Sequence, residues 1–156
     1  STDAAVNLVC AAEFIAKTDF AGVAICMHET ENDNNCLILP ATKTYKLHSS
    51  RRDAFKPINT DAIAKVNYQT KVVQFLHKEY SKATNQSLVL KPKMEEKVGL
   101  LKIHIHMVPE QFSFYHGYKG LIIEGTGLGH TPGQVPNPDA AIHKKIYPAL
   151  KKLSNQ

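Results

Sequence analysis

With 156 residues, 43% of them hydrophobic, the chain is long enough to bury a sizeable core, as one domain or as two small pieces. Its apolar runs fall well short of the ~20 residues a membrane-spanning helix needs, and its first residues predict no leader, having neither a basic segment nor a signal-like apolar block. A net charge of +5 permits contact with nucleic acid, but the lysines are scattered apart from Lys144, Lys145, Lys151 and Lys152, and no RNA-binding aromatic-and-glycine motif occurs. Three cysteines cannot all pair with one another; Cys10 and Cys26 sit in apolar helix and strand patterns and Cys36 opens a further apolar run, which suits reduced thiols in a cytoplasmic protein.

In chain order, Asp3 to Lys17 predicts a helix capped by Ser1, Thr2 or Asp3, with Val6, Cys10 and Phe14 joined by Leu8, Ala11 and Ile15 in a broad apolar face. Gly22 to Met27 is continuously apolar, the pattern of a central parallel strand, and His28 follows at its C-terminal end, where α/β sheets gather ligands. A histidine there is more simply read as bonded to backbone. Glu29 to Asn35 is an acidic, Asn-rich turn, and Cys36 to Pro40 a short strand that Thr44 to His48 can join as a hairpin. Ser49 and Ser50 offer caps to a helical turn near Arg51, which Pro57 should end. Residues 63–67 predict another short strand. The polar stretch 68–97 is assigned to an interdomain connection with some local structure, including the apolar runs Val72 to Leu76 and Leu88 to Leu90.

The second unit is expected over 98–156. Val98 to Met107 predicts a strand, with His104 and His106 on one face; two histidines so spaced can ligate a metal but lack further ligands at diagnostic spacing, so no metal site is assigned. Pro109 opens a helix to about His116, with Phe112 and Tyr115 inward. Leu121 to Ile123 is the next parallel strand, giving a βαβ unit with the usual right-handed crossover. Gly125-Thr126-Gly127-Leu128-Gly129 is best read as a tight strand-to-loop turn, since it matches neither a dinucleotide fingerprint nor a P-loop. Asn137 caps a last helix with Pro138 in its first turn, Ile142, Ile146, Leu150 and Leu153 as its stripe, and a kink at Pro148.

The segment richest in chemistry is Lys46-Leu47-His48-Ser49-Ser50-Arg51-Arg52-Asp53-Ala54-Phe55. A lysine at a strand end is ordinarily a solvated cation; it becomes a proton-exchanging group only where it is partly desolvated beside a hydroxyl. The order of these residues resembles a segment of the asparaginase-like amidohydrolases, in particular their archaeal tRNA-dependent amidotransferase branch. Ser1 to Leu8 is similar to the start of a helix in that family, and Gly117 to His130, with its Gly-Thr-Gly-Leu-Gly-His run, to a strand and turn of the family's smaller C-terminal domain.

The resemblance implies an asparaginase-like α/β fold. Residues 1–67 would be the latter part of a parallel-sheet, Rossmann-like N-terminal domain, and 98–156 the start of a smaller α/β C-terminal domain. It further implies hydrolysis of a side-chain amide by two threonines, an aspartate and a lysine. The Thr-Gly-Gly-Thr-Ile and Gly-Thr-Asp-Thr motifs of the first three are absent from this sequence, so only Lys46 carries over, as the group that helps activate the second threonine hydroxyl. Arg51, Arg52 and Asp53 share the motif as supporting residues. The chain would then be an internal piece of an amidase subunit, inactive by itself and needing no cofactor. Its expected associates are a second copy of itself (a homodimer), glutamine or asparagine as amide donor, and the amidotransferase E subunit, which carries tRNA and uses ATP and Mg. The alternatives are a cytoplasmic L-asparaginase or a non-catalytic scaffold of the same fold.

Overall fold

The computed structural model describes residues 2–155. They form two compact units, Ser1–Leu88 and Val89–Gln156, each with its own core.

In the first unit, helix α1 (Thr2–Lys17) lies on a four-stranded sheet of β1 (Ala24–His28), β2 (Asn35–Pro40), β5 (Ala64–Asn67) and β6 (Val73–Phe75), in the order β1-β2-β5-β6. Val6, Cys10 and Phe14 recur every four residues, so they fall on one stripe, and all three are buried against Cys36, Ile38, Ala64 and Val66. Each such buried Val or Phe side chain contributes ~1.5–3 kcal/mol. The apolar face is narrower than expected, because Leu8 and Ile15 are 71% and 75% exposed. They lie between the turns of the stripe and point away from the sheet. Of the candidate caps, Ser1 and the Thr2 side chain lie outside the described residues.

The three thiols meet under α1. Burial, and then hydrogen bonding with Cys36, push the Cys10 thiol up from 9.0 to about 12. Hydrogen bonding with Cys26 and then burial push Cys36 up as well. All three cysteines are free, and a thiol so biased against ionisation is a packing group rather than a nucleophile.

Every pairing in this sheet is antiparallel, with Cys26 opposite Ile38 and Cys36 opposite Val66. The apolar strand β1, read from sequence as central and parallel, therefore pairs antiparallel with β2 and has no second neighbour among the described residues. The short turn after His28 reverses the chain, and a reversal of that kind leaves only antiparallel pairing.

The expected hairpin between Cys36–Pro40 and Thr44–His48 does not form, because both edges of β2 are taken by β1 and β5. Instead a 3₁₀ turn, Ala41–Lys43, leads into β3 (Thr44–Lys46), which pairs with β4 (Phe55–Pro57). No helical turn forms at Arg51, and Pro57 sits in a strand opposite Thr44 rather than ending a helix. A two-stranded ribbon has open edges, where a missing N–H is tolerated.

The stretch 68–97, read as a connection, begins as part of the first unit. Asn67 shapes the turn into β6 by accepting bonds from the N–H groups of Gln69 (3.0 Å) and Thr70 (2.8 Å), and Val73 then pairs with Val66. Further on, Asp19 accepts from Tyr80 at 2.7 Å and pairs with Lys82 at 3.1 Å, tying that segment back to the end of α1. Leu88 and Leu90 remain exposed and form no element.

In the second unit, β7 (Val98–Lys102) and β8 (Gly120–Glu124) pair in parallel, with α2 (Glu110–Ser113) on the crossover. Leu101, Ile103, Met107, Phe112 and Ile146 form its buried core. The last helical region divides in two. Asn137 caps a 3₁₀ segment, Pro138–Lys145, through a 3.2 Å bond from the Ala140 N–H, and α3 (Ile146–Ser154) follows. The break thus precedes Pro148, which occupies the first turn of α3, where its missing N–H has no intrahelical partner to lose.

Candidate active-site loop

Lys46 ends β3 directly opposite Phe55, and its Nζ lies 5.6 Å from the centre of that ring. The side chain is exposed, and among the described residues no carboxylate engages it. The partial desolvation that proton exchange calls for is therefore not supplied by the described residues. His48, two residues on, is half-buried, and its Nδ1 has no partner among the described residues.

The loop after Lys46 is closed at its neck by a 2.8 Å bond from the Leu47 N–H to the Ala54 carbonyl. Inside it, Arg51 grips the Asp53 carboxylate with two bonds, Nε at 3.0 Å and Nη2 at 2.9 Å. Partial burial pushes the Asp53 carboxyl up, but the bond and charge of Arg51, with Lys56, outweigh it and hold the carboxyl below its usual value. A paired guanidinium and carboxylate two positions apart in the loop replace the backbone bonds of the helical turn that the serines suggested.

The loop also reaches the acidic turn between β1 and β2. Arg51 Nε lies 3.3 Å from Glu31 Oε1, and Arg52 Nη1 lies 2.6 Å from Asp33 Oδ1. The same Asp33 oxygen is 3.0 Å from Nε2 of His28, whose side chain is fully buried. A carboxylate only accepts, so the imidazole Nε2–H donates to it. His28 was expected to bond backbone; its partner is instead a side chain, and its Nδ1 has none among the described residues. Sequence reasoning singled out Lys46, Arg51, Arg52, Asp53 and His28 but missed Glu31 and Asp33. The one signal for them was a run of acidic residues facing two adjacent arginines elsewhere in the chain.

The glycine-rich run in the second unit is a tight turn. Thr126 and His130 bond each other's backbone, at 3.0 Å and 2.7 Å. A Cβ on Gly125 would lie 2.6 Å from the backbone of Gly129, and Gly127 and Gly129 take φ of +54° and +97°. His104 and His106, expected side by side on a strand, lie in the turn beyond it. The ladder ends when the Ile103 N–H bonds the Glu124 carbonyl at 3.0 Å, and β8 stops there. Among the described residues no cluster of His, Cys, Asp or Glu is arranged to hold a metal. Lys144, Lys145, Lys151 and Lys152 are all exposed, the last two in the final turn of α3, where cations complement the carbonyl end of the helix. No helix among the described residues is long and apolar enough to cross a membrane.

The chain belongs to the asparaginase family: the family model described as asparaginase, N-terminal, matches residues 1–80. Among curated proteins it is similar to the D subunit of glutamyl-tRNA(Gln) amidotransferase from several archaea. It is 40% identical to that of Pyrococcus abyssi over 94% of this chain and 42% identical to that of Pyrococcus furiosus over the same share. The Nanoarchaeum equitans protein is 36% identical over 99% of this chain. The chain spans about a third of these relatives, 34% to 36% of their length. Among solved structures, the thermostable L-asparaginase from Thermococcus kodakarensis superposes with a TM-score of 0.75 at 23% identity, covering 98% of this chain and 41% of that one. A probable cytoplasmic L-asparaginase from Campylobacter jejuni gives 0.62 at 24%, covering 98% and 43%. At those identities the structures establish the asparaginase fold alone.

Proposed function

We propose that this chain is part of the amide-hydrolysing D subunit of an archaeal glutamyl-tRNA(Gln) amidotransferase, in which Lys46 is the catalytic lysine. The observation that carries the reading is the 36–42% identity to three archaeal D subunits along nearly the whole chain. In this reading the full-length protein is a cytoplasmic homodimer that releases ammonia from glutamine or asparagine. The ammonia is used on Glu-tRNA(Gln) held by the E subunit, which activates the glutamyl group with ATP and Mg. The chemistry is of the Thr-Lys-Asp type. A threonine attacks the side-chain amide carbon, ammonia leaves and water then releases the carboxylate, while the Lys46 amine takes a proton from a second threonine hydroxyl and, as the resulting ammonium, orients the aspartate. The exposed Nζ of Lys46, free of a carboxylate among the described residues, leaves the cation available to such partners.

A free-standing L-asparaginase is the second reading, since the fold is shared with two L-asparaginases. The test is ammonia release by the full-length protein, alone and with the E subunit and Glu-tRNA(Gln). Ammonia release stimulated by the loaded partner supports the amidotransferase; asparagine hydrolysis indifferent to it supports the asparaginase. Lys46→Ala should lower kcat and kcat/KM together by ~100- to 10,000-fold. Lys46→Arg should not rescue, since a guanidinium stays protonated. Wild-type turnover in a folded Lys46→Ala protein would make Lys46 an ordinary surface cation.

A further inference from the structure

The loop that follows Lys46 carries two guanidiniums within a few residues of an ammonium. Such a loop repels itself unless anions are supplied, and most of the anions here come from a different part of the chain. Arg52 Nη1 meets Asp33 Oδ1 at 2.6 Å and the Glu31 carbonyl oxygen at 3.4 Å, while Arg51 Nε meets the Glu31 carboxylate at 3.3 Å. Asp33 itself is nearly half exposed, at 47%, and an exposed carboxylate on a turn is a poor anchor because its side chain is free to rotate. What fixes it is His28, a fully buried imidazole at the end of β1, 3.0 Å from the same oxygen. Core packing thus passes to a buried ring, from the ring to a surface carboxylate, and from the carboxylate to the loop. The loop's neck, Leu47 N–H to Ala54 carbonyl, directly adjoins the Lys46–Phe55 pair of the ribbon.

We propose that His28, Asp33 and Arg52 form a positioning relay that orients Lys46 for proton exchange, with Asp33 as its pivot. The proposal rests on the reading of Lys46 as catalytic and adds three residues that act through it without touching substrate. It differs from plain structural support in predicting that the relay matters only while Lys46 is present.

The experiment is a mutant cycle in the full-length protein, with steady-state amide hydrolysis as the readout and thermal unfolding as the control. Arg52→Gln and Asp33→Asn should each lower kcat by up to ~100-fold, the effect of a displacement near 1 Å at a reacting group, while KM stays within about twofold. The double variant should be no worse than either single one, since both break one link. Arg52→Lys should recover part of the loss, because it keeps the charge but not the fork. In a Lys46→Ala background, Arg52→Gln should have no further effect. Should Arg52→Gln fail to fold, Arg52→Lys alone decides: an intermediate kcat at unchanged KM supports the relay. Wild-type kcat in the Arg52 variants beside a crippled Lys46→Ala overturns the relay but not the assignment of Lys46. Losses that add fully in the Lys46→Ala background overturn it too. Wild-type kcat in Lys46→Ala overturns both.

Discussion

Two turns of this molecule, one after β3 and one after β8, are held shut by different physics. The loop between Leu47 and Ala54 has a single main-chain bond at its neck and is otherwise held by charge: Arg51 on Asp53 and Glu31, Arg52 on Asp33. The turn from Gly125 to His130 is closed by backbone: two main-chain bonds, a contact no Cβ could share, and two glycines at positive φ. Charge-held closure is adjustable, because ion pairs at a surface weaken with salt and with titration. Backbone-held closure is not, since a glycine's missing side chain does not respond to solution conditions. A loop that has to present an ammonium at one angle can be tuned through its pairs, whereas a structural corner gains from being fixed.

The sharpest way to break that contrast is Gly125→Ala. Its Cβ would sit 2.6 Å from the Gly129 backbone, which cannot rotate aside as a side chain would. The expected cost is ~1–3 kcal/mol of unfolding free energy, read by chemical denaturation of the chain. Gly127→Ala should cost less, ~1 kcal/mol, since φ of +54° is strained for alanine but its nearest neighbour is the movable His130 ring. In the charge-held loop, Arg51→Gln should change global stability by no more than ~1 kcal/mol, as exposed pairs do. It should nevertheless speed amide hydrogen exchange across residues 47–54, where the glycine variants leave exchange unchanged. A cost for Arg51→Gln above that of Gly125→Ala would reverse the assignment of mechanisms.

The smallest effect sharpens the comparison through pH. The Asp53 carboxyl is held below its ordinary 3.8, so its favourable contribution is present above that value and is lost as pH falls through the lower, folded-state value. Acidification below pH 3.8 should therefore raise exchange in 47–54 before it affects 125–130. Equal responses in the two turns would mean that Asp53 does not hold the loop.

Local pattern determined a good deal of this protein. The four-residue recurrence of Val6, Cys10 and Phe14 specified α1 and the face it buries. Apolar runs located β1, β2, β5 and the parallel pair β7–β8, and Asn137 with Pro138 marked the start of the last helical segment. The order of residues around Lys46 pointed to the family. What local pattern left open was choice of partner. Whether Thr44–Lys46 pairs with β2 or with Phe55–Pro57 depends on β2 having both edges occupied, a fact about other strands. Whether Ser49–Ser50–Arg51 starts a helix depends on the Leu47–Ala54 neck and on where the guanidiniums find anions. His28 looked like one more strand-end histidine because the carboxylate that defines it, Asp33, is shared with Arg52, 19 residues further along the chain. Periodicity and propensity act over a few residues, whereas an edge, an anion or a buried ring is supplied by whatever the folded chain brings alongside. That is why the elements were legible in the sequence, and why their pairing and the relay behind Lys46 were decided only by the tertiary structure.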